Sequence, residues 1–249
     1  FSDPSVSISE FDSVEISNTN LVFVGEVEFD GLFGYNTIST KLLRRFGKEK
    51  MLEAYEKRDG NIPHPGQELK TMDVAKNFVD GFEISAIETI ANLNGTMDVS
   101  VGHPSITSSL SKSLFSTTVS EIGKHRILVI STGKESGNET LARSLSSLWN
   151  CSEAIKEEGF GILLAECKNG LGSDAIQQYV EGRMSLDRLK NPAKYVDGME
   201  DLLFLTEMNK KFQIGIVSIL PQFYTKDKLA MIPFGGTKEV MDYVLKTFG

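Results

Sequence analysis

A carboxylate, a lysine and two glycines directly follow the apolar run at residues 162–165: Glu166, Lys168, Gly170 and Gly172. In open α/β sheets, ligands bind at the carboxyl ends of strands, and the N–H groups at the start of the next helix attract anions. Glycines let the backbone approach a ligand closely, and the lysine adds positive charge. An ordinary turn into a helix capped by Ser173 explains the same spacing. That is the commoner case, because neither a dinucleotide fingerprint nor a phosphate loop is complete.

A second loop of the same kind follows the apolar run at residues 127–130. It carries Lys134, and the helix predicted after it carries Arg143. If the two strands are neighbours in a parallel sheet, the two loops line one crevice. The lysine precedes the second glycine of its loop instead of following it. The pattern is therefore not that of a phosphate loop, and a capped turn is again the simpler interpretation.

The sequence holds few residues for metal or nucleophilic chemistry. Its three histidines, His64, His103 and His125, are not spaced as paired metal ligands, and its two cysteines form no Cys-x-x-Cys motif. We therefore expect neither a metal site nor a disulfide framework, and without a Gly-x-Ser-x-Gly elbow a serine hydrolase is disfavoured. His64 lies between two prolines that would fix its orientation, so it is the best candidate for function, although a solvated loop histidine is commoner.

Composition and charge exclude several classes of protein. The 249 residues include 26 Lys and Arg against 34 Asp and Glu, a net charge of −8, and no basic stripe, which argues against a nucleic-acid binder. No apolar run is long enough for a membrane helix, and no signal peptide is recognisable. We expect a cytoplasmic protein. The chain does not begin with Met, which leaves open that upstream sequence is missing.

Two patterns of secondary structure divide the chain. Residues 1–123 combine a buried strand at 21–27, a helical stretch interrupted at Gly47 and a hairpin marked by Asn94-Gly95. These features predict an α+β unit.

From residue 124 onwards, apolar strands alternate with helices, including predicted helices at 139–156 and 186–211. This alternation is typical of a three-layer α/β/α domain with a mostly parallel sheet. The predicted fold class is therefore α/β with two domains, 1–123 and 124–249.

Ordered motifs extend along both parts: Gly-Glu-Val-Glu-Phe-Asp-Gly-Leu-Phe-Gly-Tyr at 25–35, Asn61 with His64, Val-Gly-His-Pro at 101–104, the strand and glycine turn from 127, Ala-Glu-Cys-Lys-Asn-Gly-Leu-Gly at 165–172, Ser-Leu-Asp at 185–187, Leu-Thr-Glu-Met at 205–208 and Leu-Ala-Met-Ile-Pro at 229–233. In this order they resemble the nickel-pincer lactate racemase family over nearly the whole chain from about Val14. The resemblance implies two domains with an active site in the cleft between them. It also implies interconversion of 2-hydroxy acid enantiomers by hydride transfer at a lysine-tethered pincer-nickel nucleotide, with histidines as base or metal ligand.

The resemblance places the family's functional residues on different side chains here. The histidine of the first loop corresponds to Asp30, and the tethering lysine corresponds to Thr40, with Lys41 next to it. A later catalytic histidine falls at residues 55–57. The side chains that hold substrate in the second domain fall near Ala142, Arg143 and Ser146. A carboxylate differs from an imidazole in ligand softness and in proton affinity, so the cofactor stays unassigned.

We therefore predict a lactate-racemase-like protein that binds a small anionic or nucleotide-like ligand in its interdomain cleft. It is either a 2-hydroxy acid racemase or epimerase of divergent mechanism, or a non-catalytic binding or assembly subunit that has lost the nickel chemistry. An unrelated α/β enzyme that binds a nucleotide at loop 166–172 is a third hypothesis. The candidate catalytic residues are Asp30, Lys41 and His64, of which Asp30 or His64 would accept a proton. The candidate ligand-binding residues are Lys134, Arg143, Glu166, Lys168, Gly170 and Gly172.

The expected partners follow from the same hypothesis. They are the small anionic molecule and either another copy of the chain or a partner subunit, but not nucleic acid or a membrane. No residue is assigned to a metal.

Overall fold

The computed structural model describes residues 21–92, 95–117, 119–133 and 135–248. Asn94 of the predicted hairpin and the candidate ligand-binding residue Lys134 lie outside these ranges. The described residues form a mixed α/β protein in which helices flank a four-stranded parallel sheet, which confirms the predicted fold class.

Among its described residues, the first part of the chain contains nine α-helices and β-strands: β1 (Leu21–Glu26), β2 (Glu28–Asp30), β3 (Gly34–Asn36), α1 (Ile38–Phe46), α2 (Lys48–Glu56), α3 (Lys70–Val79), β4 (Ile84–Asn92), β5 (Gly95–Gly102) and α4 (Pro104–Thr117). Strands β1, β4 and β5 form a sheet in that order, with β1 parallel to β4 and β5 antiparallel to it, so the predicted hairpin is confirmed. Strands β2 and β3 are antiparallel and form a small separate hairpin.

Helix α1 is fixed at both ends by its sequence. Thr37 caps its first turn in a reciprocal capping box with Thr40, and Gly47 ends it, which confirms the predicted interruption. Leu42 and Leu43 are buried on one side of the helix. The cap and this apolar stripe together set the direction in which the polar residues of α1 point.

The second part of the chain also contains nine α-helices and β-strands among its described residues: β6 (His125–Ser131), α5 (Glu135–Asn138), α6 (Leu141–Cys151), β7 (Ile155–Leu164), α7 (Asp174–Val180), α8 (Met199–Met208), β8 (Gln213–Val217), β9 (Ile232–Phe234) and α9 (Thr237–Phe248). The four strands are parallel in the order β6-β7-β8-β9. Consecutive residues of β7 are buried on opposite faces of the sheet: Ile162 lies in an apolar cluster with Val240 of α9, and Leu163 lies in the main core. Both faces of the sheet are therefore covered.

Two predicted helices are shorter in the structure. The helix predicted at 139–156 ends at Cys151, because β7 begins at Ile155. The helix predicted at 186–211 is reduced to a 3-10 turn at Leu186–Leu189 and to α8. Pro192 lies between these two elements, and Gly198 precedes α8 at φ +79°. Both residues interrupt a helix.

The largest apolar core cluster contains buried side chains from both parts of the chain, among them Tyr55 and Trp149. Residues 119–124 connect α4 to β6 without helix or strand. The exact boundary between two domains near residue 123 stays a prediction. Within the described ranges, no helix has the length and apolar character needed to cross a membrane.

Candidate functional site

A cavity of ≈ 820 Å³ lies where α1 of the first part meets α6 and the start of α8 of the second part. We call it the cleft. Most of its lining residues have polar side chains; the lining consists of Glu28, Phe29, Asp30, Asn36, Lys41, Arg44, Thr132, Gly133, Gly137, Ala142, Arg143, Ser146, Ser147, Asn150, Ser173, Asp197, Gly198, Glu200 and Asp201. Three of the predicted site residues, Asp30, Lys41 and Arg143, therefore line one space.

Arg44 is the centre of a charged network across the cleft. Its Nη2 atom lies 3.0 Å from Asp30 Oδ2 in the first part and 2.9 Å from Glu200 Oε1 in the second part. Its Nη1 atom donates a hydrogen bond to the hydroxyl of Tyr195 at 2.8 Å and lies 3.7 Å from Asp197 Oδ1. Asp30 and Glu200 are both buried, so one guanidinium stabilises two buried carboxylates that come from distant parts of the chain.

Asp30 is held in place by its own turn as well as by Arg44. It ends β2, and its Oδ1 atom accepts hydrogen bonds from the backbone N–H groups of Leu32 at 2.8 Å and Phe33 at 2.9 Å. The carboxylate therefore serves as a turn-forming and ion-pairing group in this conformation. Its predicted role as proton acceptor is not tested by these contacts.

Glu200 and Asp201 are adjacent carboxyl groups in the first turn of α8. Burial raises the pKa of Glu200, although the nearby Arg44 opposes this effect. Burial and the neighbouring Glu200 raise the pKa of Asp201 well above its ordinary value of 3.8, against a hydrogen bond that Trp149 Nε1 donates to Asp201 Oδ1 at 2.8 Å. Two carboxyl groups in one wall of the cleft therefore have a greater proton affinity than in water.

A buried carboxylate fixes the start of α1, the helix that carries Lys41 and Arg44. Glu88 of β4 accepts hydrogen bonds from the backbone N–H of Ile38 at 2.7 Å and from the Ser111 hydroxyl at 2.8 Å. Burial raises the pKa of Glu88, and these two bonds oppose the rise. A carboxylate at a helix N-terminus is favoured by the helix dipole, so Glu88 stabilises the helix that positions the cleft residues.

Lys41 lines the cleft, and its Nζ atom donates a hydrogen bond to the backbone carbonyl of Glu26 at 2.8 Å. Its neighbour Thr40 is fully buried, and its hydroxyl donates to Asn36 Oδ1 at 2.7 Å. The lysine therefore reaches the cavity, whereas the residue that corresponds to the family's tethering lysine does not.

Arg143 lies on α6 in the opposite part of the chain, with its side chain more than half exposed. Its Nη1 atom lies 2.8 Å from Glu139 Oε2, one helical turn before it. Ala142 and Ser146, at which the resemblance places substrate-holding side chains, also line the cleft.

The remaining predicted site residues are located elsewhere. His64 lines a different cavity of ≈ 660 Å³, where its Nδ1 atom lies 3.1 Å from Glu153 Oε2. Four other candidates, Glu166, Lys168, Gly170 and Gly172, do not line the cleft, and their assignment to a ligand stays a prediction.

The loop after β7 is instead bonded to the segment before α6. The N–H groups of Cys167 and Asn169 donate to the carbonyls of Asn138 and Glu139 at 2.9 and 2.8 Å, and the Gly170 carbonyl accepts from the Leu141 N–H at 3.0 Å. Ser173 caps α7 by accepting from the Ile176 N–H, as expected for the capped-turn interpretation.

The residues of the cleft do not fit a pincer-nickel nucleotide. No histidine or cysteine is among its described lining residues, and in the described ranges no three His, Cys, Asp or Glu side chains come together in a way that could hold a metal ion. At the positions that correspond to the family's later histidine, Tyr55 is buried and donates to the Leu189 carbonyl, while Glu56 and Lys57 are exposed outside the cleft. We therefore derive no chemistry from that group.

The sequence did not reveal Arg44, Glu200 and Asp201 of the cleft, or Tyr195 and Trp149, which hydrogen-bond to them. The only local signal was an arginine in the last turn of a predicted helix, where it is favourable for the helix dipole. Arg44 and Tyr195 are 151 positions apart. Only the fold brings them together.

The fold of the chain is similar to that of two solved structures. The chain superposes on the lactate racemase apoprotein from Thermoanaerobacterium thermosaccharolyticum with a TM-score of 0.71 and 14% sequence identity, covering 94% of this chain and 60% of that chain. A protein from Thermotoga maritima matches with a TM-score of 0.59 and 10% identity, covering 90% of this chain and 63% of that one. No family model and no curated protein matches the sequence.

These similarities agree with the resemblance inferred from the motifs, and at such low identity they define the fold alone. The chain spans less than two thirds of the length of each of the two structures. The described residues thus have a lactate-racemase-like α/β fold, with a polar cleft between two parts of the chain.

Proposed function

We propose that the chain binds a small hydroxylated carboxylic acid in the cleft and exchanges a proton with it, as a lactate-racemase-like isomerase that uses its own side chains. The observation that supports this proposal is the pair Glu200 and Asp201, two adjacent carboxyl groups of raised pKa in the wall of a cavity that Lys41 and Arg143 also line. Carboxyl groups of this kind are suited to proton transfer nearer to neutral pH than ordinary ones.

The charges of the cleft favour a ligand of low charge. Its described lining contains five carboxylates against three basic side chains, Lys41, Arg44 and Arg143, and Arg44 is already surrounded by carboxylates. A nucleotide with several phosphate charges would be repelled more strongly than a monocarboxylate. Of the anionic or nucleotide-like ligands predicted from the sequence, an organic acid with one charge therefore suits the cleft best.

The uncharged lining residues favour hydroxyl groups on that acid. Ser146, Ser147 and Asn150 follow one another along α6 and supply hydroxyl and amide groups that both donate and accept hydrogen bonds. A 2-hydroxy acid presents both a carboxylate for the basic residues and a hydroxyl for these groups.

Proton transfer at C2 would interconvert the two enantiomers of such an acid without any change in its oxidation state. The C2–H bond breaks, its proton passes to the ionised member of the carboxyl pair, and its electron pair is delocalised into the carboxylate of the substrate. Because both carboxyl groups lie in one wall of the cleft, the planar intermediate must turn before the protonated member returns a proton to its other face, which gives the second enantiomer. Two adjacent carboxyl groups that disfavour simultaneous ionisation hold a proton more readily than one alone, which supplies the acid and the base together.

The test is isotope exchange. The protein is incubated with L-lactate or D-lactate in D2O, and deuterium at C2 and the opposite enantiomer are measured by NMR and chiral chromatography. Both should appear with the wild type and be lost in Asp201→Asn, while the exposed Lys48→Ala should behave as the wild type. Absence of deuterium and of the second enantiomer with bound lactate would contradict the proposal.

A second candidate function is binding without turnover. It is favoured by the state of Asp30, since both oxygens of this candidate proton acceptor contact Arg44 and one also accepts two backbone N–H bonds. Calorimetric binding of lactate that is weakened in Lys41→Ala, with no isotope exchange, would support this function over the first.

A further inference from the structure

The single tryptophan of the chain, Trp149, is buried beside the carboxyl pair of the cleft. It lies near the end of α6, and its ring meets that of Phe204 edge to face, with centroids 6.1 Å apart. A Cβ atom at Gly31 would lie 3.6 Å from Trp149 Cδ1, so the backbone of the turn after Asp30 also packs against the indole. These contacts hold the ring in one orientation.

The indole donates its only polar hydrogen to Asp201. The Nε1 atom of Trp149 lies 2.8 Å from Asp201 Oδ1. An indole N–H donates and cannot accept, so Oδ1 must present a lone pair to it whether the carboxyl group is ionised or neutral. When Asp201 is protonated, the proton is therefore on its other oxygen, Oδ2.

The Oδ2 atom of Asp201 is accessible. It has no hydrogen-bond partner in the part of the chain that the structure describes, whereas every buried nitrogen or oxygen atom there has one if its residue is not exposed. Asp201 lines the cleft, while Trp149 is not among the described lining residues. The oxygen that can carry the proton is thus the one on the side of the cavity.

Glu200, the other member of the pair, is bonded differently. Its Oε1 atom lies 2.9 Å from Arg44 Nη2, and its Oε2 atom accepts a hydrogen bond from the Tyr195 hydroxyl at 3.0 Å. Donors at both oxygens favour the charged form of this carboxyl group against its burial. The charged groups near Asp201 are Glu200 on α8, Arg44 on α1 and Asp30 at the end of β2. The proton of the pair is therefore left to Asp201.

We propose that Trp149 is a positioning residue of the carboxyl pair, which occupies Oδ1 of Asp201 and so places the proton of this group on Oδ2 at the cleft. After the proton has left, the same N–H stabilises the ionised carboxylate, because hydrogen bonds to charged groups are stronger than neutral ones. The catalytic meaning of this arrangement rests on the proposed function. The arrangement itself can be measured in the free protein without turnover.

Nuclear magnetic resonance of the free protein tests the hydrogen bond. Because the chain has one tryptophan, its indole N–H gives a single signal in a nitrogen–proton spectrum. This signal should shift as Asp201 titrates, at a pH above the ordinary carboxyl value of 3.8, and the shift should be absent in Asp201→Asn. A signal that does not change with pH, or that changes equally in Asp201→Asn, overturns the proposal.

Deuterium exchange into lactate tests the role in the reaction. Trp149→Phe keeps an aromatic ring beside Phe204 but has no donor, and its exchange should be at least about tenfold slower, because a hydrogen bond to a charged group is lost. The pH above which exchange declines should also move upwards, since this bond lowers the pKa of Asp201. Leu148→Val is the matched control, because this fully buried neighbour loosens the same helix without removing the bond. It should keep the pH profile of the wild type.

A second variant separates the lost donor from the lost size of the ring. Incorporation of benzothienylalanine in place of tryptophan exchanges the N–H for sulfur in a ring of similar shape, and it should reproduce the slower exchange of Trp149→Phe. Wild-type exchange in this variant, or an equal loss in Leu148→Val, overturns the positioning role. An indole signal that follows Asp201 in a wild type without any deuterium exchange would contradict the proposed function and confirm the position of the proton.

Discussion

The arginine network of the cleft and the loop after β7 differ in what makes them recognisable. The network joins Asp30, Arg44 and Glu200, which share no motif, yet its charges are buried and bonded across two parts of the chain. The loop at residues 166–172 has the more recognisable spacing, yet its backbone groups are bonded to the segment before α6. The residue spacing of the loop thus predicted its turn conformation. Whether its backbone N–H and carbonyl groups are free to bind a ligand depends on tertiary contacts that the spacing does not show.

The largest expected effect in this comparison is the loss of the arginine. Arg44→Met should destabilise the protein by about 3–5 kcal/mol, because Asp30 and Glu200 would be left as buried carboxylates without their common partner. Chemical denaturation monitored by fluorescence of Trp149 measures the free energy of unfolding.

Arg143→Met is the matched control for that variant. Its ion pair with Glu139 is largely exposed, so its removal should cost less than about 1 kcal/mol. Equal losses in the two variants would show that the network is no more important for stability than a surface pair.

The second largest loss of stability is expected at the two glycines of the loop after β7. Gly172 has φ +67°, and a Cβ atom there would lie only 2.3 Å from Thr140 Cβ, so Gly172→Ala should destabilise the protein by at least about 2 kcal/mol. Gly170 has φ +82° but open space around it, and Gly170→Ala should cost about 1 kcal/mol. Thermal unfolding of both variants tests whether the second glycine is required for packing. A smaller cost at Gly172 than at Gly170 would contradict the packing role of Gly172.

Much of this fold was predictable, because it depends on local patterns. The apolar spacing of α1, its interruption at Gly47 and the alternation of strands and helices after residue 124 all appear in the structure. The short strand β9 was missed because its three residues include Pro233, which is unusual within a sheet.

The candidate site was predictable only in part. Lys41 and Arg143 were found because the family resemblance places Lys41 next to the position of the tethering lysine and Arg143 among the side chains that hold substrate, and both line the cleft. Glu200 and Asp201 were not, since an acidic pair at a helix start is ordinary and its raised proton affinity comes from burial by residues far away in the sequence.

The carboxyl pair predicts an unusual pH dependence. The folded state raises the pKa of Asp201, so in the pH range above its ordinary value of 3.8 the folded protein binds more protons than the unfolded chain. Its contribution to stability is therefore fully present below that value and is lost as the pH rises through the folded pKa.

Asp201→Asn removes the cost of ionising a buried carboxyl group at neutral pH, and it keeps an oxygen that can accept the hydrogen bond from Trp149 Nε1. The variant should gain about 1 kcal/mol or more over the wild type near neutral pH, since a tenfold change in proton affinity is worth about 1.4 kcal/mol. The gain should shrink towards pH 4. Unfolding curves across this range measure it, and a difference that grows on acidification would contradict the raised pKa.

The smallest effects distinguish the two regions as ligand sites. Lys41 lines the cleft and Lys168 does not, so Lys41→Ala should weaken binding of a 2-hydroxy acid about tenfold, whereas Lys168→Ala should change it less than about twofold. Lys168→Ala should keep the stability of the wild type within about 0.5 kcal/mol, whereas Lys41→Ala should cost about 1 kcal/mol because it removes the hydrogen bond to the Glu26 carbonyl. Isothermal titration calorimetry compares the affinities. Equal losses of affinity in the two variants would show that the loop after β7 also contacts the ligand. A loss of affinity confined to Lys168→Ala would show that the ligand binds at the loop and not in the cleft.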